Sequence, residues 1–437
     1  MIHSIGVGLA GFGTVGAGVF KYLQQQRELL EERAGVIFDV RAIAVRDSKK
    51  EREEALPDSL VVHSWRDLLN DPNIQIIVEL MGGTTDAFEL IQGALESGRM
   101  VVTGNKALLA ERGEEIFALA QKYRVPIFYE AAVAGGIPII QSLRDAFVSN
   151  HIESIHGILN GTTNYILSRM QDAGLEYKEA LAEATALGYA EADPTLDLSG
   201  WDAGHKALIL AALAYGFWVR PEEVRVEGIQ EVTAADIQFA KNFGYTIKLL
   251  ATIRASSDGL IEVGVSPTLI SVKSILASVS GVFNAIAIKG DLVGESLFYG
   301  RGAGRQPTAS SVIGDLVAAA QNFYTAPNKE RSTHSVGFAS HGLYGKSRPS
   351  EEIISSYYLR LTVEDRPGVL AMITTIFGEH GISISSLVQP ESIVDVETPL
   401  VFMIHKAPYG LMKIALQKIT ALPCVKAKPV LLNAEPL

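Results

Sequence analysis

Residues 5 to 16 read Ile-Gly-Val-Gly-Leu-Ala-Gly-Phe-Gly-Thr-Val-Gly, an apolar run that leads into glycines spaced as Gly11-x-Gly13-x-x-Gly16, and a helical pattern follows. Between a strand and a helix, the first glycine permits a tight turn and the second lets the backbone approach a pyrophosphate. The third allows the helix to pack closely on the strand. Free N–H groups at the helix N-terminus favour the phosphate charge. The stretch therefore predicts a dinucleotide site that includes Gly11, Phe12, Gly13, Thr14, Val15 and Gly16.

The same glycine spacing also fits Gly6-x-Gly8-x-x-Gly11, but that register would place the glycines inside the strand. Together with the strand at 5–10, four more strands are predicted at 38–45, 74–80, 100–103 and 125–129. Helical periodicity separates most of them, and parallel neighbours need such crossover helices because a hairpin cannot join them. Residues 1–135 are thus predicted to form a doubly wound, Rossmann-like parallel sheet, which places the chain in the α/β class.

The pattern changes beyond residue 135. Residues 136–325 mix strand and helix signals and predict an α+β domain for substrate binding and dimerisation, whose helix at 308–322 packs back on the first domain. Residues 326–352 have the composition of a linker. Residues 353–437 predict the order β-α-β-β-α-β of a ferredoxin-like domain, with a final strand near Val425.

Composition limits the classes of function. The 437 residues are 48% hydrophobic and 20% charged with a net charge of −11, which excludes a disordered chain and argues against nucleic-acid and anionic-membrane partners. The longest uncharged apolar run, 207–219, is shorter than the ~20 residues of a membrane-spanning helix and predicts a buried helix. No signal peptide is evident, so a cytoplasmic location is expected. The one cysteine, Cys424, allows no intramolecular disulfide and is interpreted as a small apolar residue.

The residues after the second strand bear on the choice of nucleotide. An acidic residue there binds the ribose 2′-hydroxyl of NAD, whereas an arginine accommodates the 2′-phosphate of NADP. Arg46 favours NADP, while the neighbouring Asp47 keeps NAD open. The alternative for Arg46 is a solvated surface charge.

The segment 188–206 is the most informative about function. It places four carboxylates in a turn-rich loop that leads into the apolar run: Glu191, Asp193, Asp197 and Asp202. Asp202 and Lys206 are four residues apart, so on a helix they share a face. An exposed ion pair is the default interpretation of that spacing, but the apolar residues that follow indicate a largely buried helix. The adjacent His205 is expected to be a packing or capping residue.

This segment resembles homoserine dehydrogenase. The family pattern is met by Ala184, Gly188, Tyr189, Ala190, Asp193, Pro194, Asp197, Leu198, Gly200, Asp202 and Lys206. The resemblance extends through the stretches 103–106, 129–133, 160–165 and 302–308. It implies NAD(P)H-dependent reduction of L-aspartate 4-semialdehyde to L-homoserine by a homodimer or homotetramer.

The resemblance also implies roles for individual residues. Lys206 is the acid–base residue, and Lys106 is a second lysine near the carbonyl and the nicotinamide. The implied substrate residues are Glu191, Asp202, Asp197, Tyr189, Gly161 and Thr162. Further cofactor contacts are expected from Gly83, Lys106, Gly302 and Gly304. Glu130, Val133, Gly135 and Ile137 occupy the positions of a structural, sodium-like monovalent cation, where the alternative is an ordinary strand-to-loop turn. None of the 9 histidines has the spacing of a transition-metal site.

The C-terminal stretch around Asp365-Arg366-Pro367-Gly368 resembles an ACT domain, a ligand-sensing module. Asp365, Pro367 and Gly368 are the expected effector residues, and the resemblance implies feedback inhibition by L-threonine. The alternative is an ACT fold that serves only for dimerisation. Two other functions compete: another Rossmann–ACT dehydrogenase such as phosphoglycerate dehydrogenase, and a non-catalytic amino-acid sensor. The first needs a catalytic histidine and an arginine, whereas this chain presents two lysines and an acidic loop.

Overall fold

The computed structural model describes residues 3–48, 52, 54–325, 337–338, 340–390 and 397–435. The strands are β1 His3–Ala10, β2 Val36–Ala44, β3 Val61–Val62, β4 Ile76–Glu79, β5 Met100–Thr103, β6 Ile127–Phe128, β7 Ile152–Ile158, β8 Arg225–Val226, β9 Tyr245–Ala255, β10 Ile261–Ser271, β11 Phe283–Gly290, β12 Gly294–Arg301, β13 Ile354–Glu364, β14 Ile384–Val388, β15 Glu397–Pro408 and β16 Val430–Glu435. The helices are α1 Thr14–Gln25, α2 Arg27–Ala34, α3 Trp65–Asn70, α4 Thr85–Glu96, α5 Lys106–Tyr123, α6 Ile139–Gln141, α7 Gly161–Ala173, α8 Tyr177–Ala186, α9 Thr195–Leu198, α10 Trp201–Tyr215, α11 Ala234–Asn242, α12 Arg305–Thr325, α13 Val369–Glu379 and α14 Tyr409–Thr420.

The chain divides into two compact units. Unit 1 comprises 1–153, 205–221 and 288–345, and unit 2 comprises 154–204, 222–287 and 346–437. In unit 1 a parallel sheet has the order β3-β2-β1-β4-β5-β6, which confirms the predicted doubly wound class. The five predicted strands are present. The two-residue β3 was not predicted, because so short a strand has no periodicity.

Helix α12 packs against α1 within unit 1. Their contact is close because Gly18 of α1 has no side chain: a Cβ there would lie 2.7 Å from Arg305 and 3.4 Å from Ala309. An aromatic cluster of Phe117, Trp218 and Phe338 joins a helix of the parallel-sheet region to two later segments. Chain segments far apart in sequence therefore contribute to one core.

The predicted buried helix is confirmed. Residues 207–212 of α10 are all at most 1% exposed, and the helix ends at Tyr215 before Gly216, which has a positive φ of 76°. Among the described residues, no helix is long and apolar enough to cross a membrane.

Unit 2 contains a mixed sheet. β9 and β10 pair antiparallel along their full lengths, and β16 adds to the other edge of β10 in parallel. The sheet continues from β16 through β13 and β15 to β14. The C-terminal strands and the earlier strands of unit 2 thus form one continuous sheet.

The C-terminal β-α-β-β-α-β order is confirmed, but the last strand was predicted too early. It spans Val430–Glu435, whereas Val425 makes only an isolated bridge to Val363. The residues after α14 instead turn and place Cys424 in the core, where it is fully buried, as its apolar character predicts. The chain therefore needs several more residues to reach the free edge of β13.

The two faces of β13 have different partners. Tyr357, Leu359 and Leu361 face the apolar core formed with α13 and α14. The alternate residues Tyr358 and Arg360 reach α11 of the same unit. This follows from the two-residue side-chain period of a strand.

Of the predicted linker, 326–336 and 339 lie outside the described residues. The remainder makes specific contacts. In unit 1, Tyr344 packs edge-to-face on Tyr215. In unit 2, the Arg348 guanidinium lies 3.2 Å from a carboxylate oxygen of Glu262.

Candidate active site

The glycine loop makes the turn from β1 to α1 in unit 1. Gly11 has a φ of 99°, and a Cβ there would lie 2.5 Å from the carbonyl oxygen of Leu80. A Cβ on Gly16 would lie 2.2 Å from the carbonyl oxygen of Gly11, whereas nothing lies within 4 Å of one on Gly13. Gly11 and Gly16 are thus required by backbone packing, while Gly13 leaves open space at the N-terminus of α1.

This difference predicts separable effects of two alanine substitutions. We expect Gly16→Ala to lower the free energy of unfolding by about 1–3 kcal/mol, because the new methyl group must displace backbone. Gly13→Ala should leave the unfolding temperature unchanged but weaken nucleotide binding, since its methyl group projects where phosphates would approach. Calorimetry and a fluorescence titration with NADPH check both. Equal unfolding temperatures for the two variants would contradict the assignment.

A cavity of about 1000 Å³ opens beside the glycine loop. It lies at the carboxyl ends of β1, β2 and β4, where the strand order reverses and dinucleotides bind in such sheets. Its lining includes Gly11, Phe12, Gly13, Thr14, Arg46, Asp47 and Gly83. The other predicted cofactor residues, Val15, Gly16, Lys106, Gly302 and Gly304, are not among its lining residues.

Several polar lining residues were not predicted: Arg52, His63, Ser64, Arg66, Asp86 and Arg305. Arg52 donates to the carbonyl oxygens of Asp47 and Ser48, which follow β2. Arg66 pairs with Glu89 at 2.7 Å. No local motif marks these residues; recognising β3 would have placed His63–Arg66 at the same sheet edge as Arg46.

The acidic loop and α7 meet within unit 2. The Asn160 amide donates to both Asp197 and Asp202, each at 2.8 Å. The Thr162 hydroxyl lies 2.8 Å from the Tyr189 carbonyl oxygen and 3.1 Å from the Asp197 carboxylate. Five of the predicted substrate residues are therefore brought together around Asn160, which is itself the cap of α7: Asp197, Asp202, Tyr189, Gly161 and Thr162.

The four carboxylates do not form one cluster. Asp193 is exposed and accepts from the N–H of Thr195 in its own turn, and its hydrogen bonds to Thr195 lower the pKa of that carboxyl. Glu191 is also exposed. Asp193 is thus a turn residue, and Asp197 and Asp202 are the pair that Asn160 holds.

Asp202 and Lys206 lie in the first two turns of α10 and are 3% and 6% exposed. An exposed ion pair, the default interpretation of their spacing, is therefore wrong. His205 is also buried, and Lys106, at the first position of α5, is half-buried.

Helix α7 is anchored by a second amide and a lysine that sequence analysis did not single out. The Asn164 amide donates to the carbonyl oxygens of Val279, Gly281 and Phe283 at 3.0–3.3 Å. Lys248, only 2% exposed, donates to Asn164 at 3.2 Å and to Val279 at 2.5 Å. Burial lowers the pKa of Lys248 to about 8, and Asp172 is the charged group that opposes the shift.

This buried lysine predicts a pH dependence of stability. Its ordinary pKa is 10.5, so between pH 8 and 10.5 the unfolded chain keeps a proton that the native state has lost. Native stability from this group therefore rises with pH, by about 2–3 kcal/mol between pH 7 and 10. We expect the free energy of unfolding of Lys248→Met, relative to wild type, to fall by that amount over this range. The exposed variant Lys241→Met should show no such slope, and a flat difference for Lys248→Met would contradict the prediction.

The loop 130–137 in unit 1 is rich in oxygen ligands. The Glu130 carboxylate accepts from the N–H groups of Ile140 and Gln141, both at 2.8 Å, and the Gly135 carbonyl accepts from Ser311. Ala134 and Gly135 have positive φ values of 53° and 44°. Burial raises the pKa of Glu130.

Asp315 adds a second carboxylate to this loop by accepting from the Glu130 N–H at 2.8 Å, and burial and the Glu130 charge raise its pKa. Among the described residues, no group of three or more His, Cys, Asp or Glu side chains could hold a metal. The Arg144 charge lowers the pKa of both carboxyls and so opposes these shifts. Carboxylates beside backbone carbonyls are hard oxygen donors of the kind that an alkali cation takes.

The predicted effector residues lie in the turn between β13 and α13. Gly368 has a φ of 90° and precedes the first residue of α13, and the exposed Asp365 accepts from the Gln389 amide at 3.1 Å. Nothing lies within 4 Å of a Cβ on Gly368. The turn is thus open to solvent in this chain.

Comparison with known proteins agrees with this architecture. The family models for homoserine dehydrogenase, its NAD-binding domain and the ACT domain match residues 138–317, 11–130 and 357–423. The chain is 41% identical to homoserine dehydrogenase of Neisseria gonorrhoeae over 435 residues and 42% identical to that of Pseudomonas aeruginosa over 434, each covering 99% of both chains.

Solved structures lead to the same family. A homoserine dehydrogenase from Thiobacillus denitrificans has a TM-score of 0.91 at 42% identity, covering 99% of this chain and 98% of that one. A hyperthermophilic archaeal homoserine dehydrogenase in complex with NADPH has a TM-score of 0.62 at 29% identity, covering 73% of this chain and 98% of that one. The matches decide against phosphoglycerate dehydrogenase and against a non-catalytic sensor. With its nucleotide-binding unit and its ACT domain, the chain belongs to the homoserine dehydrogenase family of NAD(P)-dependent oxidoreductases.

Proposed function

We propose that this chain interconverts L-aspartate 4-semialdehyde and L-homoserine with NADP(H), and that Lys206 is the proton donor and acceptor. The observation that supports this most directly is the Asn160 amide, which holds Asp197 and Asp202 at 2.8 Å. It fixes two carboxylates beside the start of the helix that carries a buried lysine. Carboxylates suit a substrate ammonium, and a lysine suits proton transfer.

The nucleotide, when bound, supplies hydride to the aldehyde carbon. The residues of the chain then have two tasks. Asp197, Asp202, Thr162 and Glu191 bind and orient the amino acid. The Lys206 ammonium protonates the oxygen as the aldehyde becomes an alkoxide, and in the reverse direction the neutral amine removes the hydroxyl proton.

The test is oxidation of NADPH or NADH at 340 nm with L-aspartate 4-semialdehyde, followed by identification of homoserine. No turnover with either nucleotide would overturn the proposal. We expect NADPH to be preferred because Arg46 lines the cavity. Arg46→Ala should reduce the ratio of kcat/KM for NADPH over NADH, and the exposed variant Arg27→Ala should not. An unchanged ratio in Arg46→Ala would show that another residue sets the nucleotide preference.

The loop 130–137 is proposed to hold a sodium-like cation through Glu130, Val133, Gly135 and Ile137, in a structural role. A bound cation stabilises the native state by mass action. NaCl should therefore raise the unfolding temperature more than choline chloride at equal ionic strength. Equal effects of the two salts would count against the site.

We also propose L-threonine as a feedback inhibitor that binds the turn at Asp365, Pro367 and Gly368. Asp365→Ala should raise the threonine concentration for half-inhibition without changing uninhibited kcat, and Glu379→Gln on the same domain should leave both unchanged. Absence of inhibition in wild type would contradict the assignment of L-threonine as the effector.

We further propose that the chain forms a homodimer or homotetramer and is located in the cytoplasm. Light scattering on the purified protein gives the oligomeric state.

A further inference from the structure

Glu79, the last residue of β4, is a buried acid that has no part in the activity described so far. It is 0% exposed. Its carboxylate accepts from the Thr103 hydroxyl at 2.6 Å, the Met81 N–H at 2.9 Å and the Asn105 amide at 3.4 Å. These partners are neutral, and burial raises the pKa of Glu79 while the hydrogen bonds oppose the rise. A carboxylate in such a setting costs stability, which raises the question of what it holds in place.

One structure it holds is the wall of the nucleotide cavity. Gly82 and Gly83 line the cavity and have positive φ values of 71° and 73°. Neither has a side chain to anchor it. Two hydrogen bonds hold this loop. The Glu79 carboxylate accepts from the Met81 N–H, and the Asn105 amide donates to the Gly83 carbonyl at 2.8 Å.

The other structure is the first turn of α5, which begins at Lys106. Asn105 caps this helix by accepting from the Leu108 N–H at 3.1 Å. The Asn105 N–H donates to the Thr103 hydroxyl at 3.0 Å, and that hydroxyl donates to Glu79. The Glu79 carboxylate therefore holds Asn105, the residue before Lys106, in two ways: through the Thr103 hydroxyl and through the Asn105 side-chain amide.

We propose that Glu79 is a positioning residue, which uses Thr103 and Asn105 to hold the Gly82–Gly83 wall and Lys106 in one arrangement for hydride transfer. The inference rests on the proposed function and on the role that the family resemblance implies for Lys106, near the carbonyl and the nicotinamide. A small displacement of such a group is enough to lower the rate of the chemical step by roughly 100-fold.

The test is Glu79→Gln in the full-length protein, which keeps the shape of the side chain but loses one acceptor oxygen. We expect kcat to fall roughly 10- to 100-fold while the unfolding temperature does not fall, because a buried charge is removed. Asn105→Asp gives a second route: aspartate still caps α5 but cannot donate to Gly83, so kcat should fall here too. The exposed variant Glu96→Gln on α4 is the matched control and should retain wild-type kcat.

A double-mutant cycle distinguishes positioning from a general structural role. If Glu79 acts through Lys106, Glu79→Gln should lower kcat little further in a Lys106→Met background. A full additional loss in that background, or wild-type kcat in both Glu79→Gln and Asn105→Asp, would overturn the inference. Failure of the proposed function would appear differently, as absence of turnover in the wild type itself.

Discussion

Replacement of Lys206 by methionine is expected to lower kcat for aspartate semialdehyde reduction by roughly 10²–10⁴-fold, the usual contribution of a positioned acid–base group. Methionine occupies a similar volume in the buried site but has no proton to donate. Because Lys206 is not among the residues that line the nucleotide cavity, the dissociation constant for NADPH should stay within about threefold of wild type.

Stopped-flow measurement of single-turnover NADPH oxidation, together with a separate NADPH titration, checks this expectation. The matched control is Lys241→Met, which removes an exposed lysine from α11 and should leave kcat unchanged. A kcat within threefold of wild type in Lys206→Met would assign proton transfer to another group. Loss of NADPH binding in that variant would indicate a folding defect instead.

Replacement of Arg360 by methionine should be the most destabilising of the changes considered, by about 3–5 kcal/mol, because it leaves an uncompensated buried charge. The Arg360 guanidinium contacts both oxygens of Asp236, at 2.6 and 3.0 Å, and Asp236 is 0% exposed. Burial by itself would raise the pKa of Asp236, but hydrogen bonds from Arg360 and Thr233 outweigh it and hold the pKa below its usual range.

Without Arg360 the effect of burial outweighs the remaining hydrogen bonds, and the pKa of Asp236 should rise. A carboxyl whose native pKa is raised contributes stability at low pH that is lost as pH increases, so the deficit of Arg360→Met should be larger at pH 7 than at pH 4.5. Urea unfolding at both pH values measures it. The surface pair Arg366–Glu364 provides the control, since Arg366→Met should have little effect on the free energy of unfolding at either pH.

The double variant Asp236→Leu/Arg360→Met separates the charge from the packing. Removing both partners should restore most of the lost stability, because no buried charge remains. If the double variant is as unstable as Arg360→Met, the destabilisation comes from lost contacts of the arginine stem. Hydrogen exchange of β13 would show whether the C-terminal strands open first.

Local patterns were sufficient for much of the fold. The strands of the parallel sheet, the glycine turn and the buried helix α10 were predicted because each follows from side-chain periodicity or from a backbone conformation that needs glycine. The errors arose where periodicity is absent. β3 has two residues, and β16 begins five residues later than predicted because residues after α14 turn into the core before the strand starts.

In the candidate site, too, only properties that depend on near neighbours could be predicted from the sequence. The sequence alone determined that residues 5–16 form a strand, a glycine turn and a helix, and that the run after Lys206 is buried, because these properties depend on near neighbours. Only the tertiary structure decided which polar groups share a buried environment. Asn160 meets Asp202 across 42 residues and Asp236 meets Arg360 across 124, while Glu79 reaches Thr103 across a parallel strand pair. Each pairing depends on the packing of separate elements, and the desolvation that makes it matter exists only after the chain has folded.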